Sequence, residues 1–191
     1  TALGHTALSV QNFTTATDTY NTAVGYNAGG AVTTGIHNTI VGGLAGDSLT
    51  DADYNTVVGQ GALSVDTLGS RSTAIGYEAL LVQNFTTATD TYNTAVGYNA
   101  GRQVTTGTLN TLVGGLAGDA ITTGQQNVAL GYAALSGDDV GNHTVAIGAG
   151  ALLSQNFSTA TNSYNTAVGS SAGAAVTTGV QNTLIGGLAG D

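Results

Sequence analysis

Few side chains in this chain could do chemistry, and their spacing limits what that chemistry is. Eleven acids stand against two arginines and no lysine, cysteine is absent, and there are three histidines. GGLAGD occupies Gly42–Asp47 and returns at Gly114 and Gly186, close in composition to the calcium-binding turns of β-rolls. Those turns need GGxGxD, whereas this phrase is GGxxGD, so a turn with its Asp facing water is the expected reading. Asp51 and Asp53 follow Asp47 and would be candidates for a surface calcium site. Their counterparts after Asp119 are Thr123 and Gln125, so such a site would not repeat. His5, His37 and His143 have no metal-like spacing and read as surface or loop residues. Ser, His and Asp are all present, but no nucleophile elbow and no acid–base pair stands out. The expectation is a protein with no enzymatic activity, no cofactor and no metal.

The many threonines raise ice binding. TATDT, at Thr15–Thr19 and its copies, occurs in one repeat unit of four and makes no continuous outer ladder. A second Thr, three residues before a repeating glycine, recurs in nine units of eleven, but reads as lying between apolar strand positions.

The elements behind these residues are repeats. Anchoring on the glycine of NTAVG gives Gly4, Gly25, Gly42, Gly59, Gly76, Gly97, Gly114, Gly131, Gly148, Gly169 and Gly186. The intervals run 21, 17, 17, 17 and then repeat, so four units make one super-repeat, from Gly4 to Gly76 and again from Gly76 to Gly148. Its fidelity is high, since positions 10–29 and 82–101 are identical. Repeats of this period, stacked without interruption, build a solenoid. The composition agrees: 30 glycines, no Pro, Trp, Met or Cys, and only three Phe. Small apolar residues suit thin stacked layers better than a bulky core. The chain starts and stops partway through the pattern, which reads as a segment of a longer fibre: 1–191 as one continuous array.

Directly before each anchor glycine stands an aliphatic residue: Val24, Val41, Val58, Ile75, Val96, Val113, Leu130, Ile147, Val168 and Ile185 after Leu3. With apolar or β-branched residues on both faces, the TAVG run predicts a parallel strand covered on both sides, with these residues in the core. Ala three after the glycine predicts a second short strand. Seven before it stand Gly35, Gly69, Gly107, Gly124, Gly141 and Gly179, with Asp or Asn in three other units, which predicts a turn with positive φ. Four before it stand Asn21, Asn38, Asn55, Asn93, Asn110, Asn127, Asn165 and Asn182, expected to stack as an amide ladder; Ser72 and Thr144 interrupt them. Coils ~4.8 Å apart would set like charges against one another, which accounts for the 7% charged residues.

HTVAIGAGA (His143–Ala151), STAIGYEA (from Ser72) and NTAVGYNA (from Asn21) resemble the head repeats of YadA-like trimeric autotransporter adhesins, whose core phrase is close to NSVAIGxxA. Similar repeats occur in phage tail fibres. The resemblance spans the chain, although its coils, spaced by 17 and 21, are longer than most in those heads. It implies an all-β fold, a left-handed parallel β-roll or β-solenoid, in which three chains bury their inner strands together as a homotrimer. It implies an extracellular, cell-surface or virion fibre that mediates or presents adhesion, with a host-cell, matrix or glycan receptor as partner. The alternative is a passive spacer or self-assembling filament block, with no ligand of its own. A net charge of −9 without a basic patch argues against nucleic acid. No apolar run is long enough to span a bilayer, so direct membrane insertion is not expected.

Overall fold

The computed structural model describes all 191 residues as one parallel β-solenoid of about eleven turns, without a helix. Its spine is an eleven-stranded parallel sheet. The strands are Ala2–Leu3, Thr22–Val24, Thr39–Val41, Thr56–Val58, Thr73–Ile75, Thr94–Val96, Thr111–Val113, Val128–Leu130, Val145–Ile147, Thr166–Val168 and Thr183–Ile185. Register follows the sequence repeat: Thr22 pairs with Thr39, Thr39 with Thr56 and Thr73 with Thr94. Two-residue strands, Gly69–Ser70 against Thr89–Asp90 and Gly141–Asn142 against Thr161–Asn162, add a small second wall where the longer units lie.

Three residues suffice for each strand because the glycine that follows must turn. Gly97 has φ +145°, and a Cβ there would stand 2.6 Å from the carbonyl carbon of Gly114 on the next coil. All eleven anchor glycines adopt this left-handed backbone. After it the chain makes overlapping turns rather than the expected second strand. The N–H of Ala100 donates to Gly97, that of Arg102 to Asn99 and that of Val104 to Gly101. The positions two and four after the anchor are left-handed in every coil, among them Asn99 (φ 54°) and Gly101 (φ 58°), and such alternation prevents a ladder. The coils still lock together, since the Asn99 N–H donates to Tyr77 of the preceding coil and the Gly101 N–H to Ala117 of the next.

The glycines seven before the anchor do not have positive φ, contrary to the sequence expectation. Close approach requires them instead: a Cβ at Gly124 would lie 2.5 Å from the Gly141 carbonyl oxygen. The left-handed residue of that turn lies two positions later and is never glycine, as at Tyr92 (φ 50°) and Leu109 (φ 62°).

The core is a thin column of 27 buried apolar residues, sixteen of them alanine, with no aromatic ring. Here the strand residues require a correction. Val24, Val41, Val58, Ile75, Val96, Val113, Leu130, Ile147, Val168 and Ile185 lie in the strands but on the outward side, half-buried or exposed. Alternation along a strand places the residue one earlier inside: Ala23, Ile40, Val57, Ala74, Ala95, Leu112, Ala129, Ala146 and Ala167 are all fully buried. Volume is balanced between coils rather than within one. A Cβ on Gly101 would meet Leu112 Cδ1 at 2.6 Å and Leu80 Cδ2 at 3.0 Å. The large side chains of two neighbouring coils therefore fill the space above and below a glycine.

Gly97→Ala should lower stability by about 2–4 kcal/mol, from backbone strain plus the clash with the next coil. Gly115→Ala, whose Cβ would meet nothing nearer than Tyr132 Cδ2 at 3.7 Å, should be nearly neutral. Denaturant midpoints of the two variants check this, and equal midpoints would refute it.

Candidate functional site

Each asparagine at the −4 position points inward at the corner where the chain enters a strand. Asn21, Asn38, Asn55, Asn93, Asn110, Asn127 and Asn165 are at most 3% exposed, and Asn182 is half-buried. They do not stack amide on amide as expected, except that Asn182 Nδ2 donates to Asn165 Oδ1 at 3.1 Å. The other seven bond instead to the backbone of the next coil. Asn110 Nδ2 donates to the Gly124 carbonyl at 2.9 Å, and Asn110 Oδ1 accepts the Asn127 N–H at 3.0 Å. The same pair of bonds joins Asn38 to Ala52 and Asn55, and Asn93 to Gly107 and Asn110. The turn removes one N–H and one C=O from the sheet ladder, and a carboxamide supplies both partners.

Where Ser72 and Thr144 replace asparagine, a buried polar network takes over, and sequence reasoning missed it. Asp66, Gln83 and Thr91 are fully buried with Ser72. Gln83 Nε2 donates to Asp66 Oδ2 at 2.6 Å and to Ser72 Oγ at 3.0 Å, while Gln83 Oε1 accepts from Asn93 Nδ2 at 2.9 Å. Ser72 and Thr91 hydroxyls lie 2.6 Å apart. Asp138, Gln155, Thr144, Ser163 and Asn165 repeat the arrangement. The signal was present in the sequence, because Asp, Ser or Thr, and Gln break the pattern together once in each super-repeat. Burial pushes the Asp138 carboxyl up, against the donors Gln155, Gly141 and Phe157, which favour its ionised form. Burial also raises Asp47, against its own N–H and Asn27, and Asp119, against its own N–H.

The remaining acids and histidines are spread over the rod. Asp51 Oδ1 accepts from Thr34 Oγ1 at 2.6 Å and Asp53 Oδ1 from the Ile36 N–H at 2.8 Å, so both tie one coil to the next. No three His, Asp or Glu side chains gather into a set that could hold a metal ion, and the surface has no pocket. His5 stacks on Tyr26, His37 on Tyr20 and Tyr54, and His143 on Tyr164, with ring centroids 4.9–5.6 Å apart.

What the fold does assemble is a surface. The outward sheet face carries two columns per rod: Thr or Val three before the anchor, and Val, Ile or Leu one before it. The Thr column faces out rather than into packed layers, as alternation with the buried residue requires. Beyond the two ends of the strand, residues five before the anchor (Tyr20, Tyr54, Tyr92) and one after it (Tyr26, Tyr77, Tyr98) are exposed and flank the face. All eight tyrosines of the chain occupy these edges, and all are 44–69% exposed. On one edge Tyr20, His37 and Tyr54 stack in order, and the Arg71 guanidinium sits 4.7 Å from the Tyr54 ring and 5.9 Å from that of Tyr92. No carboxylate occupies any of the four columns.

No family model, curated protein or solved structure matches the chain.

Two outcomes follow. Asn110→Ala leaves a buried C=O and a buried N–H without partners and should cost about 2–6 kcal/mol, at ~1–3 for each group; thermal and urea unfolding measure it. For the raised carboxyls, the folded state holds the proton more tightly than the unfolded chain, so their stabilising effect is complete below the ordinary value of 3.8 and lost as pH rises through the raised folded values. The urea midpoint should therefore be higher at pH 5 than at pH 7, and the difference should shrink in Asp47→Asn/Asp119→Asn. A midpoint that instead falls steadily from pH 7 to pH 5 contradicts this assignment.

Proposed function

We propose that the chain is a structural segment of an extracellular trimeric fibre, at a cell surface or on a virion, which extends and presents an adhesive assembly. The observation that carries this reading is the outer sheet face. It pairs a threonine or valine column with an aliphatic one, is free of carboxylates, and runs the length of the rod on a chain of net charge −9. Twelve of the eighteen exposed large apolar side chains lie on it or on its edges. A continuous exposed patch with aliphatic and aromatic side chains marks an association surface. Three copies with these faces turned inward would cover them, in the left-handed, YadA-head-like arrangement that the sequence repeats resemble.

In such a fibre the outward surface of each chain is left for contact with a host-cell, matrix or glycan receptor. The reading in which the rod is a passive spacer or filament block rests on the same face, and differs only in whether that remaining surface binds.

Light scattering of the folded chain should give a particle near three times the 18.7 kDa chain mass. A stable folded monomer overturns the trimer. A monomer that also halts ice growth would reassign the face to ice, since its Thr and Val columns repeat at the ~4.8 Å spacing of paired strands. A folded trimer that binds neither cells nor a glycan panel would establish the spacer.

A further inference from the structure

Fifteen asparagines stand in the chain, and four of them open the triplet Asn-x-Ser/Thr: Asn12, Asn84, Asn142 and Asn156. That triplet is the acceptor sequence for N-linked sugar. The corner asparagines never form it, because the position two residues on belongs to the core, as at Ala95 and Leu112. We propose that Asn12, Asn84 and Asn156 are acceptor sites for an N-linked sugar, one in each longer unit. This goes beyond the fibre reading and does not need the trimer, since the loop that carries the sites lies outside the four columns of the outer face.

The longer unit fixes the backbone of the triplet and leaves its two reactive side chains outside. Phe85 and Phe157, the middle residues, are buried, and their N–H groups donate to Asp66 Oδ1 and to the Asp138 carboxyl. The N–H groups of Asn12, Asn84 and Asn156 donate to the carbonyls of Thr33, Thr105 and Thr177 at 2.9–3.0 Å. On either side of the buried ring the chain meets solvent. Asn12 and Asn156 are exposed, Asn84 is half-buried, and Thr14, Thr86 and Ser158 are all exposed.

Hydrogen bonding separates these amides from the others. A carboxamide nitrogen that donates within the rod is not free to meet an electrophile. The corner asparagines each commit Nδ2 in this way, as Asn110 does to the Gly124 carbonyl. Asn84 commits only its oxygen, which accepts from Thr67 Oγ1 at 3.3 Å, and the Asn12 and Asn156 side chains bond to no group of the chain. Asn142 has the triplet without the geometry. Its Nδ2 donates to Asn162 Oδ1 at 3.3 Å, its Oδ1 accepts the Gln125 N–H at 2.8 Å, and the hydroxyl residue Thr144 is fully buried.

Spacing and sequence fit the assignment. One site per super-repeat sets the sugars four coils apart, about 19 Å, which leaves room for a bulky group at each. Positions 154–173 differ from 82–101 at six places, and at the hydroxyl position the change is Thr86 to Ser158, the one exchange the triplet allows. The sugar arrives on a phosphate carrier, either a nucleotide or a lipid. The bond from Asn84 Nδ2 to C1 of the sugar forms as the C1–O bond to phosphate breaks. The carrier phosphate leaves with the bonding pair, and one amide proton passes to a base of the transferase.

The folded full-length chain is incubated in one arm with an N-glucosyltransferase and UDP-glucose, and in the other with an oligosaccharyltransferase and a lipid-linked oligosaccharide. Peptide mass spectrometry then locates the modified asparagines, and the arm that labels the chain identifies the carrier. Sugar is expected at Asn12, Asn84 and Asn156 and not at Asn142. Thr86→Val should abolish addition at Asn84 alone, while Asn12 and Asn156 in the same molecules show that rod and transferase are intact; Thr86→Ser should retain it. Sugar at none of the three sites in either arm overturns the proposal. Equal labelling of Asn142 overturns the structural assignment, because the triplet alone would then suffice. Undiminished addition at Asn84 in Thr86→Val overturns it as well. None of these results bears on light scattering, so the trimer stands or falls separately.

Discussion

The rod depends on one constraint: each coil must lie in register on the next at the corner where the chain enters its strand. Elsewhere the backbone ladder keeps register by itself. At that corner the turn strips an N–H and a C=O from the ladder, buried away from solvent. A buried carboxamide from the coil below supplies one acceptor and one donor at the distance needed. Asp lacks the donor, and Ser is too short to reach both groups. Once Asn holds the corner, the neighbouring choices follow. The residue after the strand must turn with a left-handed backbone, and the next coil's carbonyl lies so near that glycine is required at position 97 and its equivalents.

The two departures from asparagine show the same constraint met by other means. Before each longer unit, Ser72 or Thr144 cannot span the gap, so Gln83 or Gln155 reaches across from the core wall and is held by a buried aspartate. Asp138 accepts N–H groups only, from the Gln155 side chain and the Gly141 and Phe157 backbones, which is why a carboxylate occupies this buried corner. The bulge of the longer unit is thus tied to the core by its own network, while Phe85 and Phe157 pack beneath it, 7% and 4% exposed.

Periodicity made the solenoid and the register of its strands legible, because a position that recurs in every coil must do the same physical task in each. Which face a residue takes was less legible. Ala23 and Val24 are both apolar, and with one three-residue strand per coil no polar alternation marks the inside. The small alanine, which looked like the minor partner, is the core residue, and the larger valine faces out. The glycines seven before the anchor misled for a related reason: glycine serves close approach as well as positive φ, and composition alone does not separate the two. The left-handed sites actually carry Tyr92, Leu109 and Asn99, and the Leu109 and Asn99 N–H groups donate to Thr91 and Tyr77 of the preceding coil. The outer face could not be recognised until Thr94 and Val96 were known to share it with the tyrosines on its edges.

The exchange of volume between coils has a consequence for how such a rod can change length. Gly101 is roofed by Leu112 and floored by Leu80, and Gly173 by Leu184 and Leu152 in the same way. A single coil removed or copied would break the order in which leucine and glycine follow one another along this column, as in Leu80, Gly101, Gly118, Leu135 and Leu152. Four coils moved together restore every contact. The rod can therefore change length without disturbing its packing in steps of a whole super-repeat, and positions 10–29 and 82–101, one super-repeat apart, are identical.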